Sequence, residues 1–225
     1  MAYSHPYRNA VWAIWSVMGA LLVPFPTVAS TADHTQFEQL NGPFERAEQV
    51  TKACLECHNE AAEQLQGSTH WTWQHGRPDS AELYGKTEIV NNFCISTRSN
   101  EPRCTSCHTG YGWKDNSFDF TKQESVDCLI CHEQSGQYRK FPTDAGHPNY
   151  VSKEWPKGSG KILPAVDLAK AAQSVSSPEL ENCGTCHFYG GGGDAVKHGD
   201  LDSSLYSATP ELDVHLSKDG ANLKC

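Results

Sequence analysis

Apolar and polar positions along this chain change character from segment to segment. An apolar run over residues 11–23 comes first, behind Arg8, and Pro24 and Pro26 break it. Residues 33–43 are polar and read as a mobile arm. Residues 44–66 read as a helix, with Pro43 suited to its entry and Gly67 to its exit. Residues 69–76 are rich in His and Trp, and Trp71 and Trp73 are expected to pack on a flat cofactor. Residues 79–102 follow no period. Ser125 is a candidate cap for the helix expected after it. Residues 136–163 are dotted with Gly and Pro and read as loop. Residues 164–175 read as a short helix on which Asp167 and Lys170 share a face. Ser177-Pro178-Glu179 opens another helix. The glycines at 190–193 let backbone pass close to a flat surface. The expected class is mainly α with long irregular loops.

One five-residue grammar is superimposed on this pattern. It reads Cys54-Leu55-Glu56-Cys57-His58, then Cys104-Thr105-Ser106-Cys107-His108, Cys128-Leu129-Ile130-Cys131-His132 and Cys183-Gly184-Thr185-Cys186-His187. Cys-x-x-Cys-His is the attachment signature of a c-type haem. Two thiols bond one porphyrin edge, and the adjacent imidazole reaches the iron. A zinc ribbon does not need His after each second Cys. A thioredoxin-type motif occurs once, near a βαβ pattern that is not seen here. A disulfide framework would not repeat this grammar.

Composition fits that reading. Apolar residues make up 38% of the 225, below the roughly 45–50% of globular chains. Haems are expected to form the core. The second and third motifs are close in sequence, so their haems are expected to be neighbours. The formal charge of -9 argues against a nucleic-acid partner. Residues 1–29 read as a signal peptide, with residues 27–29 or 30–32 as cleavage sites. The run is short for a membrane span, and an uncleaved anchor is the alternative. The expected location is a bacterial periplasm.

The side of each iron opposite its motif His decides function. A second His gives an electron carrier, and an open or weakly held position admits substrate. His70, His75, His147, His198 and His215 are candidates for this second ligand, and His34 in the arm is expected to be solvated. Met1 and Met18 both lie in the signal segment, so a His/Met pair is excluded. Cys94 and Cys225 fall outside the motifs. Cys225 is either the first Cys of an interrupted fifth motif, a free thiol, or a partner of Cys94.

Longer strings carry a resemblance. They are Gly85-Lys86, Asn91-Asn92-Phe93-Cys94-Ile95, Ser99-Asn100-Glu101-Pro102-Arg103-Cys104 and Tyr111-Gly112-Trp113-Lys114-Asp115. They continue with Val126-Asp127-Cys128-Leu129, Asp167-Leu168-Ala169-Lys170, Cys183-Gly184-Thr185-Cys186-His187-Phe188 and Val196-Lys197-His198-Gly199-Asp200. On these the chain resembles the octahaem tetrathionate reductases, multihaem cytochromes c, over essentially its whole mature length. The resemblance implies a catalytic haem on the second motif, with Lys170 as its distal ligand. Asp167, Cys94 and Asn91 would line the same pocket. It implies reduction of tetrathionate, with nitrite and hydroxylamine also turned over. With four complete motifs in place of eight, residues 30–225 are expected to be the N-terminal part of such a protein.

The residues carry this chemistry on their own terms. A lysine amine ligates iron only when deprotonated, which burial favours. A thiolate at Cys94 could attack an S–S bond. Small anionic or nitrogenous substrates, and a cytochrome or quinol dehydrogenase as electron donor, follow as partners. Lys170 also reads as a solvated lysine on an amphipathic helix. A tetrahaem carrier without substrate chemistry is the alternative function, and a fragment inactive by itself is a third.

Overall fold

The computed structural model of the chain describes residues 32–76, 79, 81–85, 102–188, 193–194 and 201–224. The chain divides into two compact units, Met1–Ala32 and Asp33–Cys225. Apart from Ala32, every described residue belongs to the second, so the signal-peptide expectation lies outside the described residues.

The expected helix over residues 44–66 is two helices, α1 (Ala47–Leu55) and α2 (Ala61–Gln66). The first starts cleanly because Gln49 Oε1 accepts from the backbone N–H groups of Arg46 and Glu45 at 2.9 and 2.7 Å. It ends within the first motif, where His58 N–H closes on the Cys54 carbonyl at 2.9 Å. Asn59 follows, a residue whose side chain competes with helical hydrogen bonding. A short α3 (Thr69–Thr72) leads into a hairpin of β1 (Gln74–Gly76) and β2 (Leu83–Gly85).

The second motif runs through a 3₁₀ turn, Thr105–Cys107. The third forms α4 (Leu129–His132). Ser125 does not cap it. Asp127 Oδ1 accepts from Ile130 N–H at 3.1 Å instead. Ser125 is buried, and its carbonyl accepts from Tyr111 N–H at 2.8 Å.

A second small hairpin pairs β3 (Lys153–Glu154) with β4 (Ile162–Leu163). Next comes α5 (Leu168–Gln173), which starts later than residue 164 because Asp167 caps it, accepting from Lys170 N–H at 3.0 Å. The fourth motif lies on α6 (Leu180–His187). Asn182 Oδ1 accepts from Glu179 N–H at 2.9 Å, and its Nδ2 donates to the Glu133 carbonyl at 2.8 Å. That side chain therefore caps α6 and ties it to the end of α4.

The polypeptide core is small. Ala47 and Val50 of α1, Leu129 and Ile130 of α4, and Leu168, Ala171 and Ala172 of α5 gather around Leu40, Tyr111 and Tyr138. A satellite cluster joins Ala62, Trp71 and Val126. Everything else is short helix or irregular chain, as the composition implied. No helix among the described residues is long and apolar enough to cross a membrane.

Candidate metal centres

None of the eight motif cysteines is in a disulfide, and thiols meet across motifs. Cys54 of the first motif is hydrogen-bonded to Cys128 of the third, and this contact together with burial pushes the Cys128 thiol well up. Cys107 of the second motif contacts Cys186 of the fourth in the same way, and Cys186 is also pushed up. Burial raises Cys131 to about 11. Backbone joins the second and third motifs too, since Asp127 N–H donates to the Thr109 carbonyl at 2.8 Å.

The imidazoles fall into two groups. The His34 and His58 rings have centroids 6.4 Å apart, and the His70 and His187 rings 6.1 Å. Two imidazoles on opposite sides of one metal, each with a bond of about 2.0–2.1 Å, have centroids roughly 6 Å apart. His34 Nδ1 is buried without a hydrogen-bond partner. His34 is thus beside the first motif rather than solvated. Its 3₁₀ turn is fixed by Asp33, which accepts from Thr35 N–H at 3.0 Å. His70 is held through its carbonyl, which accepts from Thr109 Oγ1 at 3.0 Å. Burial, and then the neighbouring His187, lower its pKa.

His108 is different. It is completely buried in an aromatic cage of Trp71, Trp73, Trp113, Phe118 and Phe120, with ring centroids 4.7 to 6.1 Å away. Its Nε2 bonds the Trp71 carbonyl at 2.8 Å, and its Nδ1 is buried without a hydrogen-bond partner. Burial drives its pKa down to about 4, opposed by the Trp71 carbonyl and helped by Lys140. The ring is therefore neutral at pH 7, the state that binds metal. Gly110 makes room for the cage. A Cβ there would lie 2.7 Å from Trp71 Cζ3 and 3.0 Å from His108 Cε1.

His132 Nδ1 lies 2.9 Å from the Ser176 carbonyl. A hydrogen bond there fixes the tautomer that leaves Nε2 for a metal. Motif cysteines outside any disulfide, a carbonyl-anchored imidazole, and the buried Nδ1 atoms of His34 and His108 without hydrogen-bond partners fit haem c. Among the described residues, no three His, Cys, Asp or Glu side chains converge as a metal site.

The remaining candidates are scattered. Lys170 and Asp167 are both exposed on the start of α5, and Asp167 binds the lysine's backbone N–H rather than its amine. Lys170 is not part of the cage around His108. Cys94, Asn91, His198 and Cys225 lie outside the described residues. His75 is exposed on β1. The His215 side chain is 71% exposed and faces Asp213 at 3.6 Å. His147 is buried against Arg46 and Tyr150, 3.3 and 3.1 Å away, and stacks on Tyr111.

Three similarities bear on this geometry. The family model for cytochrome c554 and c-prime matches residues 53–133, which include the first three motifs. The crystal structure of an octahaem cytochrome c from Shewanella oneidensis superposes with a TM-score of 0.69 at 46% identity, over 87% of this chain. The chain is a multihaem c-type cytochrome. The similarities imply haem c as its cofactor. This cytochrome spans 40% of the length of the Shewanella protein. An uncharacterised protein of Archaeoglobus fulgidus is 23% identical, covering 78% of this chain and 71% of its own.

Neither His34 nor the carbonyl partners of His108 and His132 were marked by the sequence. His34 stands 24 residues before its motif histidine, in a polar stretch without period.

Proposed function

We propose that this cytochrome carries electrons through four haems, one per Cys-x-x-Cys-His motif, and reduces small sulfur or nitrogen oxyanions at the haem of the second motif. The haems, when bound, supply one-electron carriage and an iron that can take a ligand. The observation that carries the reading is the contrast of His108, in its aromatic cage, with His58 and His187; His132, anchored on the Ser176 carbonyl, has no aromatic cage among the described residues. His58 and His187 each have a second imidazole at one-metal distance. His108 has only indole and phenyl rings around it among the described residues.

The chain's own residues divide the work accordingly. His34 with His58, and His70 with His187, would each hold one iron, which would then serve as an electron carrier. The cage excludes water from His108 and keeps it neutral. The contacts of Cys54 with Cys128 and Cys107 with Cys186 support placing the first haem near the third and the second near the fourth. Lys170 is the candidate for a displaceable ligand opposite His108, with Asp167, Cys94 and Asn91 beside it. The support for that group is the resemblance, since Lys170 is exposed here and must turn inward to ligate. Tetrathionate, nitrite and hydroxylamine are the substrates to try. The periplasm is the proposed location, and a small cytochrome or quinol dehydrogenase the proposed donor.

The test compares wild-type, Lys170→Ala and His34→Ala proteins, all haem-loaded, by electron paramagnetic resonance and by viologen-driven substrate reduction. His34→Ala should turn one low-spin carrier high-spin. Lys170→Ala should change the second-motif signal and alter turnover at least tenfold. If Lys170→Ala leaves both untouched and wild type reduces none of the three substrates, the protein is a carrier only.

A further inference from the structure

A buried ion pair lies behind the second and third motifs, and neither motif uses it for attachment. Lys140 Nζ is 3.1 Å from Asp127 Oδ2, with side chains 5% and 0% exposed. Tyr111 Oη donates to Asp127 Oδ1 at 2.8 Å and Tyr138 Oη to Oδ2 at 3.0 Å. Burial, and then the Asp127 charge, push both phenols well up, so each stays a donor.

Each half of the pair holds a different motif. Asp127 directly precedes Cys128 and caps α4 through Ile130 N–H. Lys140 Nζ donates to the carbonyl of His108 and, at 3.1 Å, to that of Gly110. The backbone leaves room for this. A Cβ on Gly146 would run into the Gly110 carbonyl oxygen and come 3.1 Å from Lys140 Nζ.

Stability alone gives no reason for such a pair. Desolvating two charges costs several kcal/mol each, and apolar residues of similar volume often replace a buried pair without loss. Electrostatics gives a reason. In a medium of low dielectric, a fixed positive charge favours the reduced form of a nearby iron and a fixed negative charge the oxidised form.

We propose that Asp127 and Lys140 are a positioning pair that fixes His108 against the third motif and, by their opposite charges, sets the potential gap between the second- and third-motif haems. Lys140 lies nearer the second and raises its potential; Asp127 lies nearer the third and lowers it. Electrons are thereby favoured on the His108 side, where the proposed chemistry occurs. This rests on the reading of the motifs as haem-bearing.

The experiment is a potentiometric titration of the haem-loaded protein, followed by absorbance and electron paramagnetic resonance. Chains lacking Cys104 and Cys107, or Cys128 and Cys131, assign the midpoints. Lys140→Met should lower the second-motif midpoint, and Asp127→Asn should raise the third-motif midpoint. Each change should be about tenfold in the one-electron equilibrium, or 59 mV. The double variant leaves no uncompensated buried charge, so it serves where a single variant fails to mature, and it should show both shifts. Lys140→Arg should keep the wild-type second-motif midpoint. Unchanged midpoints in the loaded double variant, or two midpoints moving in the same direction, overturn the proposal. A wild-type chain that takes up no haem at those two motifs overturns the haem reading instead.

Discussion

His108 shows how one side chain can be made ready for a metal by its surroundings. Burial among five aromatic rings holds its pKa at about 4, against 6.5 for the free imidazole. Between these values the unfolded chain binds a proton that the folded chain does not, so stability falls as pH drops from about 6.5 towards 4 and is fully present above that window. The shift corresponds to a contribution on the order of 3 kcal/mol. Denaturant titrations of the haem-loaded protein at pH 7, 5.5 and 4.5 should show this loss, and iron ligation should push the lower limit further down. A stability that stays flat from pH 7 to 4.5 would show that His108 is solvated. The motif alone marks His108 as a candidate ligand. It did not identify Lys140 or Asp127, because their sequence neighbours look like those of surface charges. Only the folded chain brings Tyr111, Tyr138 and the His108 carbonyl around them.

At the level of elements, helices here are short because each attachment motif ends one. The run expected over residues 44–66 divides where His58 closes on Cys54, a break that helix-exit signals such as Gly67 cannot reveal. Helices were legible as segments at α1, α5 and α6, but each begins later than its Pro or Ser signal implied, at Ala47, Leu168 and Leu180. The cap of α4 was misassigned to Ser125, since a capping residue is judged by sequence position, whereas Asp127 wins by reaching Ile130 N–H. Asn182 gives a direct test of how such contacts hold motifs together. Asn182→Ala removes the α6 cap, typically worth about 1 kcal/mol, and leaves the Glu133 carbonyl without its donor. A total near 2 kcal/mol should lower Tm by roughly 4–8 °C at this chain length. Asn182→Asp should recover only the cap. Equal melting of Asn182→Ala and wild type, followed through the haem absorbance, would mean that the α4–α6 tie is not maintained in solution.

Across the whole molecule, the small polypeptide core and the four motifs point to the same design, in which cofactors replace missing side-chain volume. The mature chain, expressed with haem-maturation machinery, should therefore gain the mass of four haems, and a gain of two or fewer contradicts the reading. Cys183→Ala with Cys186→Ala should remove one haem and lower the stability of the rest, because α6 packs on α4. Order along the sequence is a poor guide to order in space, since the thiol contacts join first with third and second with fourth. This has a measurable consequence in the redox couplings. Reducing one haem adds negative charge near its neighbours, and that interaction weakens with distance. Removing the first haem, through Cys54→Ala with Cys57→Ala, should then shift the third-motif midpoint more than the fourth. Removing the second, through Cys104→Ala with Cys107→Ala, should shift the fourth more than the first. Stepwise potentiometry on the two variants reads both comparisons directly. Equal shifts at all remaining haems would mean that the sulfur contacts do not mark the close pairs, and that electrons pass along some other order of motifs.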